Sequence, residues 1–270
     1  MTTAHKSRVL DMTRGDPFRL LLQFSLPLFC SNMLQQVYNL TDTALAGHLL
    51  GSAALAEIGA TAALYGLIMN FAFGMNNGLA LTVSRCFGAG EREGIRRAVG
   101  WMVTLSAAVS IVLTTVSLLG RGALLQVLQV PAEVWDGAAA YLTVILLGIP
   151  LTMLYNMEAA LLRAVGNSVT PLLFLLFSSV LNVGLDAAFM GPLGMGVRGA
   201  AVATVLAQGI SAVLGAVYLV RSYPELHFTP AHLKKSARRA VMNMFWAGMS
   251  MGLMSAIYNL GSVALQSSIN

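Results

Sequence analysis

Seven stretches of this chain contain no Asp, Glu, Lys or Arg: 20–41, 58–84, 98–120, 137–157, 164–185, 199–220 and 240–270. The shortest has 21 residues. A helix of that length covers about 30 Å, the hydrocarbon thickness of a bilayer. Inside that slab every backbone polar group must be satisfied by protein, so only helices and closed barrels can cross it. Barrel strands would read as alternating segments of about 10 residues, which these unbroken apolar runs are not. The sequence is therefore that of an all-α, polytopic membrane protein. Composition agrees, with 10% charged residues against about 25% in an average soluble domain.

Loop charge sets the expected orientation. With the N-terminus in the cytoplasm, 14 of the 16 basic residues fall on the inner side, and only Arg121 and Arg198 face out. That asymmetry is the positive-inside pattern, and removing one span would scramble it. The expected location is the cell (inner) membrane. The basic charge then reflects topology and contact with anionic lipid, and no nucleic-acid partner is implied. The first apolar run is too long for a secretory h-region and follows a 19-residue hydrophilic tail, so no cleavable signal is read. Cys30 and Cys86 suggest no disulfide framework.

The chain restarts its own pattern near the end. Val37-Tyr38-Asn39-Leu40 with Ala44-Leu45 recurs as Ile257-Tyr258-Asn259-Leu260 with Ala264-Leu265, at a constant offset of 220 residues. Six crossings separate the two copies, which predicts a parallel repeat about an axis along the membrane normal. The expected organisation is a cytoplasmic tail (1–19), a six-helix lobe (20–221), a cytoplasmic linker (222–239) and the first helix of a second lobe (240–270). A complete protein would hold about twice the repeat length. The connection around Gly120–Asp136 is half apolar and is expected along the outer interface.

Against this background two acids stand out. Asp42 is the only ionised side chain between Leu20 and Ala56, and Asp186 the only one between Ala164 and Val197. A charge at mid-membrane costs about 2.5–3.5 kcal/mol even on the lenient insertion scale, so such residues are retained for function. Asn182 is four residues before Asp186, on the same helix face, and Tyr38 is one turn before Asp42. The residues suggest a sequestered site for a proton or cation. Thr204 and Tyr141, taken alone, read as ordinary polar residues in apolar spans, and Glu158 with Arg163 reads as a structural ion pair. The histidines His48, His227 and His232 are placed in loops without metal-ligand spacing. Gly194-Met195-Gly196-Val197-Arg198-Gly199 has the letters of a dinucleotide fingerprint but no strand before it, so a tight turn is expected. Gly74/Gly78 and Gly248/Gly252 are small-residue pairs for close helix packing, most methionines are core filling, and Pro27 and Pro150 sit within spans as kink candidates.

Several segments together resemble the MATE (multidrug and toxic compound extrusion) transporters. They are Leu26-Pro27, Asn39-Leu40-Thr41-Asp42-Thr43 into Gly47-His48, Ser84-Arg85 with Gly88-Ala89-Gly90, and Leu162-Arg163-Ala164 with Gly166-Asn167 and Pro171. The strongest runs from Asn182 through Asp186 into Gly194-Met195-Gly196-Val197, Gly199-Ala200-Ala201 and Ala203-Thr204. The resemblance implies a twelve-helix antiporter of two lobes that exports organic, often cationic, compounds in exchange for H⁺ or Na⁺, with no other cofactor and no enzymatic activity. It implies a cation site of Asp42, Asn182 and Asp186, supported by Tyr38, Tyr141 and Thr204. A further fourth-helix asparagine of that network is not matched: Ala159 stands near its place and Asn156 a turn earlier. The expected partners are membrane lipid, small organic cations and the second lobe, whose Ser262 the repeat sets opposite Asp42. A lipid-linked precursor flippase of the same superfamily is the main alternative. An intramembrane aspartyl protease is a remote one, because Val183-Gly184-Leu185-Asp186 misses its Gly-x-Gly-Asp signature.

Overall fold

The computed structural model describes residues 15–234 and 237–269, with side chains throughout except at 260 and 262–269. The N-terminal basic residues Lys6, Arg8 and Arg14, the linker's Lys235, and the side chains of Ser262, Ala264 and Leu265 lie outside the described residues. Nine α-helices and no strand occur among the described residues. They are α1 (Pro17–Leu50), α2 (Ser52–Gly88), α3 (Arg92–Leu119), α4 (Arg121–Val127), α5 (Trp135–Ala164), α6 (Val169–Met190), α7 (Val197–Ser222), α8 (Pro230–Lys234) and α9 (Arg238–Ile269).

Six of these helices are long and apolar enough to cross a membrane: α2, α3, α5, α6, α7 and α9. The seventh long helix, α1, has 34 residues but falls below that apolarity. Its length carries Gln23, Asn32, Gln35, Gln36, Asn39 and Asp42, which dilute the hydrophobic run. The helices outrun their uncharged stretches because ends that reach the polar interface tolerate charge. Asp16 caps α1, its side chain accepting from the Phe18 N–H at 3.2 Å. His48 belongs to the last turn of α1, not to a loop, because α1 continues to Leu50.

α5 occupies the middle of the bundle, packed against α2, α3 and α7, while α6 packs between α7 and α1. Fit at the centre is set by missing side chains. Gly148 of α5 receives Val205 of α7, and Gly209 of α7 receives Leu151 of α5. Asn76, fully buried on α2, donates to the Met153 carbonyl of α5 at 3.3 Å and accepts from the Ser106 hydroxyl of α3 at 2.9 Å. Three helices are thereby pinned by one amide. Met75, Met102, Met153 and Met157 fill the core around it.

The Gly194–Gly196 turn has positive φ at both glycines (+58° and +60°), which only glycine adopts without strain, and α7 starts directly after it. The connection after α3 forms α4 and a 3-10 turn (Ala132–Val134), with Leu125 driven into the core and Val127 outward. After α7, the 3-10 turn Pro224–Leu226 and α8 fold onto the start of α3, where Phe228 and Leu233 lie against Gly100. α9 then packs along α2: a Cβ at Gly78 would meet the Ala247 carbonyl at 2.5 Å and Gly248 Cα at 2.6 Å. Both cysteines are free.

Candidate functional site

α1 and α6 cross where they bring Asp42 and Asp186 together. Asp42 lies eight residues before the end of α1, and Asp186 four before the end of α6. The two carboxyl groups are direct neighbours, close enough to share a proton. Asp186 is 0% exposed, and neither of its oxygens has a hydrogen-bond donor. Asp42 Oδ1 and Asn182 Oδ1 are likewise buried without a donor. Four acceptor oxygens with nothing to accept are costly in a dry interior, since each unsatisfied polar atom forfeits about 1–3 kcal/mol. Two carboxylates about 4 Å apart also repel by about 4 kcal/mol at an effective dielectric of 20. A proton or a small cation between them answers both costs.

The remaining residues named from the sequence converge on the same place. Asn182 lies beside Asp186 and donates from Nδ2 to Thr204 Oγ1 on α7 at 3.4 Å. The Tyr38 side chain reaches Thr204 and feels both carboxyls. Tyr141, 5% exposed on α5, is within electrostatic range of Asp42 and Asp186. Small and apolar residues wall this end of the lobe, among them Ala46, Ile145, Met190, Ala200 and Ala201. Asn156 does not substitute for the absent asparagine, because its amide donates to the Thr152 carbonyl of its own helix at 2.9 Å.

Two further residues belong here that the sequence did not single out. Tyr65 of α2 is within electrostatic range of Asp42 and lies against Gln208 of α7. Gln208 Oε1 in turn accepts from the Thr152 hydroxyl of α5 at 2.6 Å. The usable signal was the four-residue step from Thr204 to Gln208, which puts both on one face of α7.

The ion pair expected between Glu158 and Arg163 is not formed. Five residues along a helix correspond to a turn of about 140°, so the two side chains point apart. Arg163 donates to Asn77 Oδ1 at 3.1 Å and lies 5.6 Å from the Phe73 ring centre, while Glu158 Oε1 has no partner. Among the described residues exposed Glu93 pairs with Arg96 and also lies 3.7 Å from Nε2 of the partly buried His232. No cluster of three or more His, Cys, Asp or Glu side chains suited to a metal occurs among the described residues.

Comparison with known proteins gives this geometry a family. The MatE family model matches residues 27–188. The "Probable multidrug resistance protein YpnP" of Bacillus subtilis is 29% identical over 263 residues, covering 97% of this chain and 58% of that protein. The "Probable multidrug resistance protein NorM" of Thermotoga maritima is 30% identical over 196 residues, covering 71% of this chain and 42% of that protein. A solved structure described as the outward-facing conformation of a multidrug resistance MATE family transporter of the MOP superfamily superposes with a TM-score of 0.84 at 27% identity, covering 94% of this chain and 56% of that one. The chain thus spans about half the length of the curated relatives it matches.

Proposed function

The chain belongs to the MatE family, and on that premise we propose that it works as the ion-handling lobe of a secondary antiporter. The transporter exports organic, cationic compounds and takes up H⁺ or Na⁺ in exchange. The observation that carries this reading is the meeting of half-buried Asp42 with fully buried Asp186, with buried carboxyl oxygens of both left without a donor. Asp42, Asn182 and Asp186 hold the ion, while Tyr38, Tyr141 and Thr204 position them. The N-terminus lies in the cytoplasm, the linker 222–239 stays on that side, and 240–270 begins a second lobe that completes the substrate cleft. The activity is transport and not catalysis of a bond change.

The exchange follows from linkage. A ligand shifts a two-state equilibrium only by its differential affinity for the two states. Loading the acid pair favours one arrangement of the lobe and binding of a cationic drug favours the other, so each expels its rival. Entry of one positive charge down a membrane potential supplies about 2.3 kcal/mol per 100 mV. Pro27, fifteen residues before Asp42 in α1, is the natural flexure through which loading is communicated.

Cells producing the protein should extrude a cationic dye, and an ionophore that collapses the H⁺ or Na⁺ gradient should stop that efflux. Efflux that continues undiminished after both gradients are collapsed would refute antiport. Dye extrusion absent while a lipid-linked precursor is flipped in vesicles would favour the flippase alternative.

A further inference from the structure

Thr204, Gln208, Ser211 and Gly215 follow each other along α7 at steps of four, three and four, and so share one face. That face packs on α5. Thr204 touches the acid site through Asn182. One turn on, Gln208 is held by Thr152 and Tyr65. The Ser211 hydroxyl is next, 1% exposed and without a partner. At Gly215 the file ends against a carboxyl group: the Glu158 side chain rests there so closely that a Cβ on Gly215 would collide with Oε2. From Thr204 to Gly215 the axial distance is about 16 Å at 1.5 Å per residue. Glu158 lies toward the end of α5 and Asp186 toward the end of the oppositely running α6, so the two acids occupy opposite ends of the lobe.

Glu158 is 4% exposed, yet it has no ion-pair partner among the described residues. Arg163 is the basic residue next to it in sequence, and Asn77 and Phe73 hold that side chain. Tyr155, on its own helix, is the titratable neighbour. From α7 it faces Gly215, with Ser211 one turn away, and no basic side chain among the described residues forms an ion pair with it. An uncompensated carboxylate in such a place is strongly disfavoured. A metal cation would need a shell of oxygen ligands, and one carboxyl with one hydroxyl does not supply it. A proton needs only the carboxyl.

We propose that Glu158 is a second proton-binding site of this protein, placed at the far end of a buried polar file that runs through Ser211 and Gln208 to the Asp42–Asp186 pair. The proton sits on a Glu158 oxygen, and the neutral acid leaves no charge in the α5–α7 seam. What this proton does for transport rests on the antiport reading above; its presence on Glu158 does not.

Infrared spectroscopy of the full chain in lipid nanodiscs reads protonated carboxyl groups directly. At neutral pH a protonated-carboxyl band should be present, should shift on ¹³C labelling of glutamate, and should lose that glutamate component in Glu158→Gln. The component should survive Asp42→Asn and Asp186→Asn, which report separately on the outer pair. A Glu158→Asp variant should keep a protonated band at a shifted frequency. Absence of any glutamate-derived band in the labelled, unsubstituted chain at neutral pH overturns the proposal without requiring a variant to fold. A glutamate band that persists unchanged in Glu158→Gln overturns it as well. A glutamate band present in cells' protein that shows no gradient-driven efflux would sustain the proton on Glu158 while sinking the antiport reading.

Discussion

Asn182 stands between a carboxyl and a hydroxyl, beside Asp186 on one side and donating to Thr204 on the other. Replacing it by leucine removes the amide while keeping much of the volume. The variant loses the bond to Thr204 and the open Asn182 Oδ1 that faces the ion. An unsatisfied buried polar group costs about 1–3 kcal/mol, so the ion concentration for half-maximal efflux should rise by roughly fivefold to a hundredfold. Thr204→Val should do less, because the bond it breaks is long at 3.4 Å. A titration of efflux against external H⁺ and Na⁺ checks both. Much of this site was legible in the sequence: acids in uncharged spans announce themselves through their cost, and Asn182 with Asp186 share a face by spacing alone. Tyr65 and Gln208 were not legible. An aromatic and an amide in apolar helices carry no signature, and only helix packing brings Tyr65 within electrostatic range of Asp42 and sets Gln208 against Tyr65.

Between helices, the glycines decide how closely the bundle closes. Gly78 receives the backbone of Ala247 and Gly248 from α9, whereas Gly59 of the same helix has nothing within 4 Å of its Cβ position. Gly78→Ala should therefore push α9 off α2, at a cost of about 1–3 kcal/mol for overpacking. Gly59→Ala should be neutral or stabilising by up to about 1 kcal/mol, because alanine restricts the unfolded chain. Thermal unfolding in detergent, followed for both variants, distinguishes them by the sign of the change in Tm. This seam was readable from the small-residue spacing of both helices. Glu158 was misread for the converse reason: its nearest basic residue in sequence is five positions away, on another face, and sequence proximity was mistaken for contact. The polar residues of α1 hold its mean hydropathy below that of the other spans, although its charge-free run marked it in the sequence and it supplies Asp42.

In the whole molecule, ion-coupled export requires an inward N-terminus and two lobes sharing one cleft. Orientation has a direct check, made with Cys30 and Cys86 replaced by serine. Arg198→Cys should label from outside intact cells, and Arg221→Cys only after permeabilisation. Labelling of both from outside would overturn the topology. The 220-residue offset raises the expectation of a parallel repeat, whereas a cleft between two lobes would depend on residues no single lobe contains. Asp42 and Asp186 are expected to act as one unit, and gradient-driven dye efflux at matched membrane abundance is the decisive measurement. Asp42→Asn, Asp186→Asn and the double variant should each fall to the background of cells lacking the protein, with the double no lower than either single. Substantial efflux by either single variant, or losses that multiply in the double, would contradict it.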